Sequence, residues 1–223
     1  KFGLQIYEKA RAFLPCAPTG MNSFVYFCKV RRHRRIHKQN FRMNTIFLIG
    51  YMGCGKTTLG RALAAEAGMD FLDLDEYIEE KYETTITDLF ARMGESRYRQ
   101  LEREALTEVA GRRGTVISTG GGTPCHFDNM DIMNRSGLTI WLQTSAERLA
   151  LRLCLPGQRH NRPLIANLSD DEVLATVKKA LAEREQYYGK AQLRFDSTNI
   201  ETAEQTTATA RVLQQLLAQG GVL

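Results

Sequence analysis

The sequence predicts a single α/β domain, a parallel sheet covered on both faces by helices in three layers. Two observations carry that expectation. Five short apolar runs alternate with segments of helical period. The first run ends in a glycine-rich loop that opens into the first helical segment.

In order, the runs are "TIFLI" (45–49), "FLDL" (71–74), "TVIS" (115–118), "LTIWL" (138–142) and "LRF" (193–195). Between the first two, Leu59, Ala62, Leu63 and Ala67 make one face of a helix over 56–67, and Gly68 is its natural stop. "TTITDLFARMG" (84–94) offers Thr85 and Asp88 as a capping box and Gly94 as a terminator. Over 97–110, Tyr98, Leu101, Ala105 and Val109 recur at helical spacing and leave Arg99 off the core face. Residues 170–188 and 202–218 are the two longest helical segments. "LPGQRHNRPLIANLS" (155–169) has two prolines, a glycine and little periodicity, the character of a lid or binding loop.

Composition bounds the partners. Hydrophobic content of 43% and charge of 25% are ordinary for a globular chain of 223 residues. The net charge of +5 hints at nucleic acid, but its distribution argues otherwise. Residues 1–42 hold ten Lys and Arg against one acid, Glu8, whereas 43–223 hold 20 against 24 acids. The expected organisation is therefore a basic extension over 1–42, disordered or translated from upstream, and a working domain over 43–223. Its "VRRHRRIHK" tract (30–38) lacks both amphipathic period and signal-peptide order. No run of 18 apolar residues occurs, so no membrane helix is expected. Five scattered cysteines with no C-x-x-C argue against a disulfide framework or zinc site and suit a cytoplasmic protein.

"GYMGCGKT" matches G-x-x-x-x-G-K-[ST] at Gly50, Gly55, Lys56 and Thr57. Glycines let successive backbone N–H groups curl around phosphate oxygens, and the following helix presents its positive end to the anion. Lys56 suits the β- and γ-phosphates, and the Thr57 hydroxyl suits Mg²⁺, which takes few protein oxygens. Cys54 reads as a small spacer in that loop. The chain lacks the N-K-x-D and D-x-x-G strings of GTPases, and its size favours a kinase of a small molecule.

Three features suggest the acceptor. In "FLDLDEYIEE" (71–80), Asp73 and Asp75 lie two apart at a strand's end, and on an extended chain they would project to the same side. The alternative makes them the cap and first-turn acids of a helix. "VISTGGGTPC" (116–125) runs into Gly120, Gly121 and Gly122, which let backbone approach a ligand; an ordinary turn needs fewer glycines. Arg99, with Glu102 one turn on, and Arg184 late in a helix carry planar forks suited to a carboxylate or phosphate. Arg159 and Arg162 sit in the lid-like loop.

With "GYMGCGKTT", "FLDLD", "GESRYRQLE", "STGGGTP", "RPLI" and "AEREQYY" in that order, the chain resembles the shikimate kinase family over about 43–200. The resemblance implies a P-loop kinase fold of the nucleoside-monophosphate-kinase type, with a five-stranded parallel sheet and a mobile lid, here about 153–169. It implies ATP-dependent phosphorylation of shikimate at its 3-hydroxyl, on the route to chorismate, by a cytoplasmic monomer. Carried over, Gly53, Cys54, Gly55, Lys56, Thr57 and Thr58 would hold the ATP phosphates, with Arg152 a candidate for adenine stacking. Thr57 and Asp73 would serve Mg²⁺. Asp75 would bind the acceptor hydroxyl and take its proton, Arg99 and Arg184 would clamp the carboxylate over the 120–122 glycines, and Arg162 would close on the transferring group. Two departures stand: Tyr98 replaces a frequent Phe, and Glu185-Gln186 replace a stretch that often holds proline. A gluconate-kinase-like enzyme and a nucleic-acid-associated ATP-binding protein remain alternatives.

Overall fold

The computed structural model describes residues 45–157 and 165–223. The extension expected over 1–42 and the lid residues Arg159 and Arg162 lie outside those residues. Chain order is β1 (Thr45–Ile49), α1 (Lys56–Ala67), β2 (Asp70–Asp73), α2 (Leu74–Tyr82), α3 (Ile86–Val109) and β3 (Thr115–Ser118), then a 3₁₀ turn at Thr123–Cys125. There follow α4 (Asn129–Ser136), β4 (Gly137–Gln143), α5 (Ala146–Cys154), α6 (Asp170–Tyr188), β5 (Leu193–Asp196) and α7 (Ala203–Gln219).

The strands form one five-stranded sheet in the order β2-β3-β1-β4-β5, every pairing parallel. Central β1 is buried along its whole length, which is why it reads as an unbroken apolar run. Edge strand β5 alternates between half-buried and exposed positions. The chain leaves β1 for β2 on one side and leaves β3 for β4 on the other, so a crevice opens at the strands' carboxyl ends. The phosphate loop fills that position.

Helix α1 runs over 56–67 as expected, its last carbonyls closed by Gly68 in the left-handed region. Leu63 on its buried face is fully enclosed. Leu63→Ala should lower unfolding stability by about 2–5 kcal/mol, measured by urea titration.

Gly94 breaks the helical path as expected: its φ of 74° and ψ of 168° are non-helical, and α3 consists of two helical segments that meet at this kink. Thr85 caps the first segment, accepting from the Asp88 N–H. One expectation is corrected: β2 stops at Asp73, with Leu74 already helical. Sequence periodicity also passed over α4 and α5. α4 spans eight residues, with Met130 and Met133 as its buried pair, too short to display a period. In α5, "AERLALRLC", Leu149, Ala150 and Leu153 make a clear buried face, but nine residues display it over little more than two turns. Because α5 reaches Cys154, the stretch expected as lid from about 153 starts inside a helix.

Candidate active site

The phosphate loop, 50–55, takes its shape from three glycines with positive φ: Gly50 (143°), Gly53 (80°) and Gly55 (92°). Gly55 is constrained twice, since a side chain there would also collide with Ile200. Lys56 opens α1 and is nearly buried. Its Nζ donates to the Gly50 carbonyl at 2.9 Å and the Tyr51 carbonyl at 3.1 Å, so the ammonium is tethered across the loop's mouth. Cys54 is enclosed, its sulfur 4.0 Å from Nζ, which suits the spacer reading. The first turn of α1 contains no acid, leaving its positive end unopposed.

Asp73 and Asp75 share a neighbourhood, though not as an extended chain would arrange them. Asp73 caps α2, its Oδ1 accepting the Asp75 N–H at 3.0 Å, while its Oδ2 accepts the Thr57 hydroxyl at 2.7 Å. The helix-cap alternative thus holds for Asp73, and the same carboxylate also meets Thr57 of the phosphate loop. Asp75 sits in the first turn of α2, and its carboxyl is pushed up to about 7. Burial is the main cause, reinforced by the Asp73 and Glu102 carboxylates and opposed by Lys56. Ser118 closes the group, its hydroxyl 3.4 Å from that of Thr57.

The glycine triplet is explained by space and not by backbone angle. None of Gly120, Gly121 and Gly122 has positive φ. A Cβ on Gly120 would lie 2.9 Å from Asp75 Oδ1 and 3.0 Å from Glu102 Oε1. One on Gly121 would lie 3.6 Å from Arg184 Nη1, and one on Gly122 2.8 Å from Arg99 Nη2. Gly120 and Gly122 therefore make room for Asp75 and Arg99, whereas Gly121 only touches Arg184 at ordinary contact distance.

Both arginines are held in place. Arg99 Nη1 donates to fully buried Glu102 at 2.9 Å, and its Nη2 reaches Glu95 at 3.2 Å. Glu102 is braced in turn by the Thr123 hydroxyl at 2.5 Å. Arg184 Nη1 donates to the Gly121 carbonyl at 3.1 Å, and its guanidinium lies 5.1 Å from the centre of the Tyr51 ring.

A cavity of about 530 Å³ is lined by Gly53, Gly55, Lys56, Thr57, Thr58, Asp73, Asp75, Gly121 and Arg152 among others. Arg99, Arg184, Gly120 and Gly122 are not in that lining; Gly120 adjoins it at Asp75 and Arg184 at Gly121. Arg152 bridges Gly53 O at 3.1 Å, Thr198 O at 2.7 Å and Glu201 at 3.1 Å, so it ties the phosphate loop to the segment before α7. Arg162 falls outside the described residues. Sequence reading passed over Ser118 and Thr119 although they sit in the quoted "VISTGGG". It also passed over Ile200 and Glu201, which lie far along the chain in a stretch without any motif.

A family model described as shikimate kinase matches residues 52–217. A shikimate kinase of Phocaeicola vulgatus is 46% identical over 175 residues, covering 78% of this chain and 99% of that protein. The 1.7 Å crystal structure of a shikimate kinase from Bacteroides thetaiotaomicron superposes with TM-score 0.75 at 44% identity, covering 79% of this chain and 99% of the other. The structure of a shikimate kinase from Acinetobacter baumannii in complex with shikimate gives 0.67 at 31% identity, covering 80% and 95%.

Proposed function

The chain belongs to the shikimate kinase family and phosphorylates shikimate with ATP, and from that premise we propose how its residues divide the work. The observation that carries this division is the seating of Gly120, Gly121 and Gly122 against Asp75, Arg184 and Arg99 respectively. The glycine backbone and those side chains form one acceptor floor beside the phosphate loop. A planar carboxylate with neighbouring hydroxyls suits it: two guanidinium forks for the carboxylate, one buried carboxylate for a hydroxyl. Gluconate, whose carboxylate ends a flexible chain, fits such a fixed floor less well, and a gluconate-kinase-like activity is not favoured.

In the transfer, the bond from the γ-phosphorus to the ADP oxygen breaks and a bond to the acceptor oxygen forms. Asp75 orients the 3-hydroxyl and takes its proton. Lys56 and the loop N–H groups hold the phosphates, and Arg162 supplies the further positive charge that the resemblance implies. Thr57 and Asp73 offer an all-oxygen pair of the kind Mg²⁺ prefers, Thr57 as ligand and Asp73 fixing its hydroxyl. Bound there, Mg²⁺ would neutralise charge between the phosphates. The reading includes a cytoplasmic monomer. Among the described residues no helix is long and apolar enough to cross a membrane.

The test is ADP release across shikimate, quinate, gluconate and nucleoside monophosphates. Shikimate should be preferred, and equal turnover of gluconate would contradict the assignment. Arg99→Ala should raise KM for shikimate about tenfold to hundredfold, the scale of a charge-assisted hydrogen bond, with KM for ATP little changed. An unchanged KM for shikimate would remove Arg99 from the floor.

A further inference from the structure

We infer that Tyr188 is a positioning residue for acceptor binding: its hydroxyl holds the Gly121 carbonyl, which frees Arg184 to turn onto the substrate carboxylate. The inference rests on the reading of Arg184 as part of the carboxylate clamp.

Tyr188 is the last residue of α6, one turn after Arg184. Its hydroxyl donates to the Gly121 carbonyl at 2.6 Å, and Arg184 Nη1 donates to the same oxygen at 3.1 Å. A carbonyl has two lone pairs, so both bonds coexist, but the two donors are not equivalent. Tyr188 is wholly buried, its ring tilted against Trp141 at 5.6 Å between centroids. Trp141 belongs to β4, pairs in register with Ile49 of β1, and lies beside Gly50 of the phosphate loop. The tyrosine is thus anchored to the sheet. Arg184 is a long side chain resting over the Tyr51 ring at 5.1 Å.

A Cβ on Gly121 would be in ordinary contact with the Met52 backbone nitrogen at 3.4 Å and the Gly50 carbonyl oxygen at 3.6 Å, so the acceptor floor abuts the phosphate loop at this residue. If Arg184 alone satisfied the Gly121 carbonyl, drawing it onto a carboxylate would leave a part-buried acceptor bare. That would weaken acceptor binding about tenfold to hundredfold. Tyr188 removes the penalty, because the carbonyl keeps a donor whichever way the arginine turns. Burial also pushes the phenol well above its ordinary range, so it remains protonated and donating at every pH an assay would use.

The test is Tyr188→Phe, which keeps the ring and its contact with Trp141 while removing the O–H. KM for shikimate should rise about tenfold to hundredfold, the cost of baring that carbonyl when the arginine turns, while kcat and KM for ATP move less than about twofold. In an Arg184→Ala background the same change should leave KM for shikimate within about twofold, because no arginine is then left to release. An unaltered KM in Tyr188→Phe overturns the inference, as does an equal rise in both backgrounds, which marks a purely structural hydrogen bond. Arg184→Ala alone separates the two levels. If it leaves KM for shikimate unchanged, the clamp reading fails and the inference falls with it. If it raises KM while Tyr188→Phe is silent, only the inference fails.

Discussion

Lys56→Ala should lower kcat by at least about 10²–10³-fold, the cost of removing one preorganised charge from a site where charge develops in the transition state. Steady-state ADP release at saturating shikimate measures it. The ammonium faces the cavity and is tethered by Gly50 and Tyr51, so its charge is placed before nucleotide arrives. Shikimate affinity should survive, because the acceptor floor is built by other residues. It can be followed through the fluorescence of Trp141, the single tryptophan in the chain. The Gly50 and Tyr51 carbonyls lose a donor in this variant, so thermal unfolding is measured beside turnover to separate lost charge from lost fold. Turnover within tenfold of the parent would show that the lysine does not serve the transferring phosphate.

Asp75→Asn should reduce kcat about 10²–10⁴-fold, since an amide keeps the shape but cannot accept the hydroxyl proton. Stability should move the other way. The carboxyl is held near 7 in the folded protein, against an ordinary value of 3.8. The folded state therefore binds more protons than the unfolded one between those values, and stability falls as pH rises through that window. Above about pH 7 the deficit is complete, and the asparagine variant should be the more stable protein. Below about pH 4 the difference should disappear. Thermal unfolding in chelator-containing buffer across pH 4–8 measures this. A variant less stable than the parent at pH 8 would show that burial of Asp75 is already compensated. A gain in stability at the expense of activity is expected where like charges are gathered for catalysis.

Parts of the site were legible in the sequence because their chemistry is local. "GYMGCGKT" specifies its own geometry through positive-φ glycines and the helix that follows, so loop and helix were found in place. The strands were legible because a sheet covered on both faces demands continuous apolar runs, and α6 was legible because it is long enough to display its period. The division between strand and helix at "FLDLDEY" was not legible. Asp73 satisfies a strand's end, a helix cap and a bond to Thr57 together, and only packing shows that these coincide. Gly94, by contrast, was legible as a stop, because it adopts a positive φ that glycine reaches freely and breaks the helical path where the sequence placed the break.

By itself the sequence determined the donor half of the site: a phosphate loop, a lysine and a hydroxyl within eight consecutive residues. Its ordered motifs also pointed to the family. What the tertiary structure decided was which residues meet where the acceptor half is proposed. Asp75, Arg99, Gly120, Gly121, Gly122 and Arg184 come from four separate segments, and nothing in their spacing shows that Gly120 and Gly122 clear space for Asp75 and Arg99. Nor does spacing show that Tyr188 and Arg184 meet on one carbonyl. The physical reason is range. Backbone angles and helix ends are set by neighbours along the chain, whereas close approach between a loop and distant side chains exists only once the parallel sheet has brought its strand ends together.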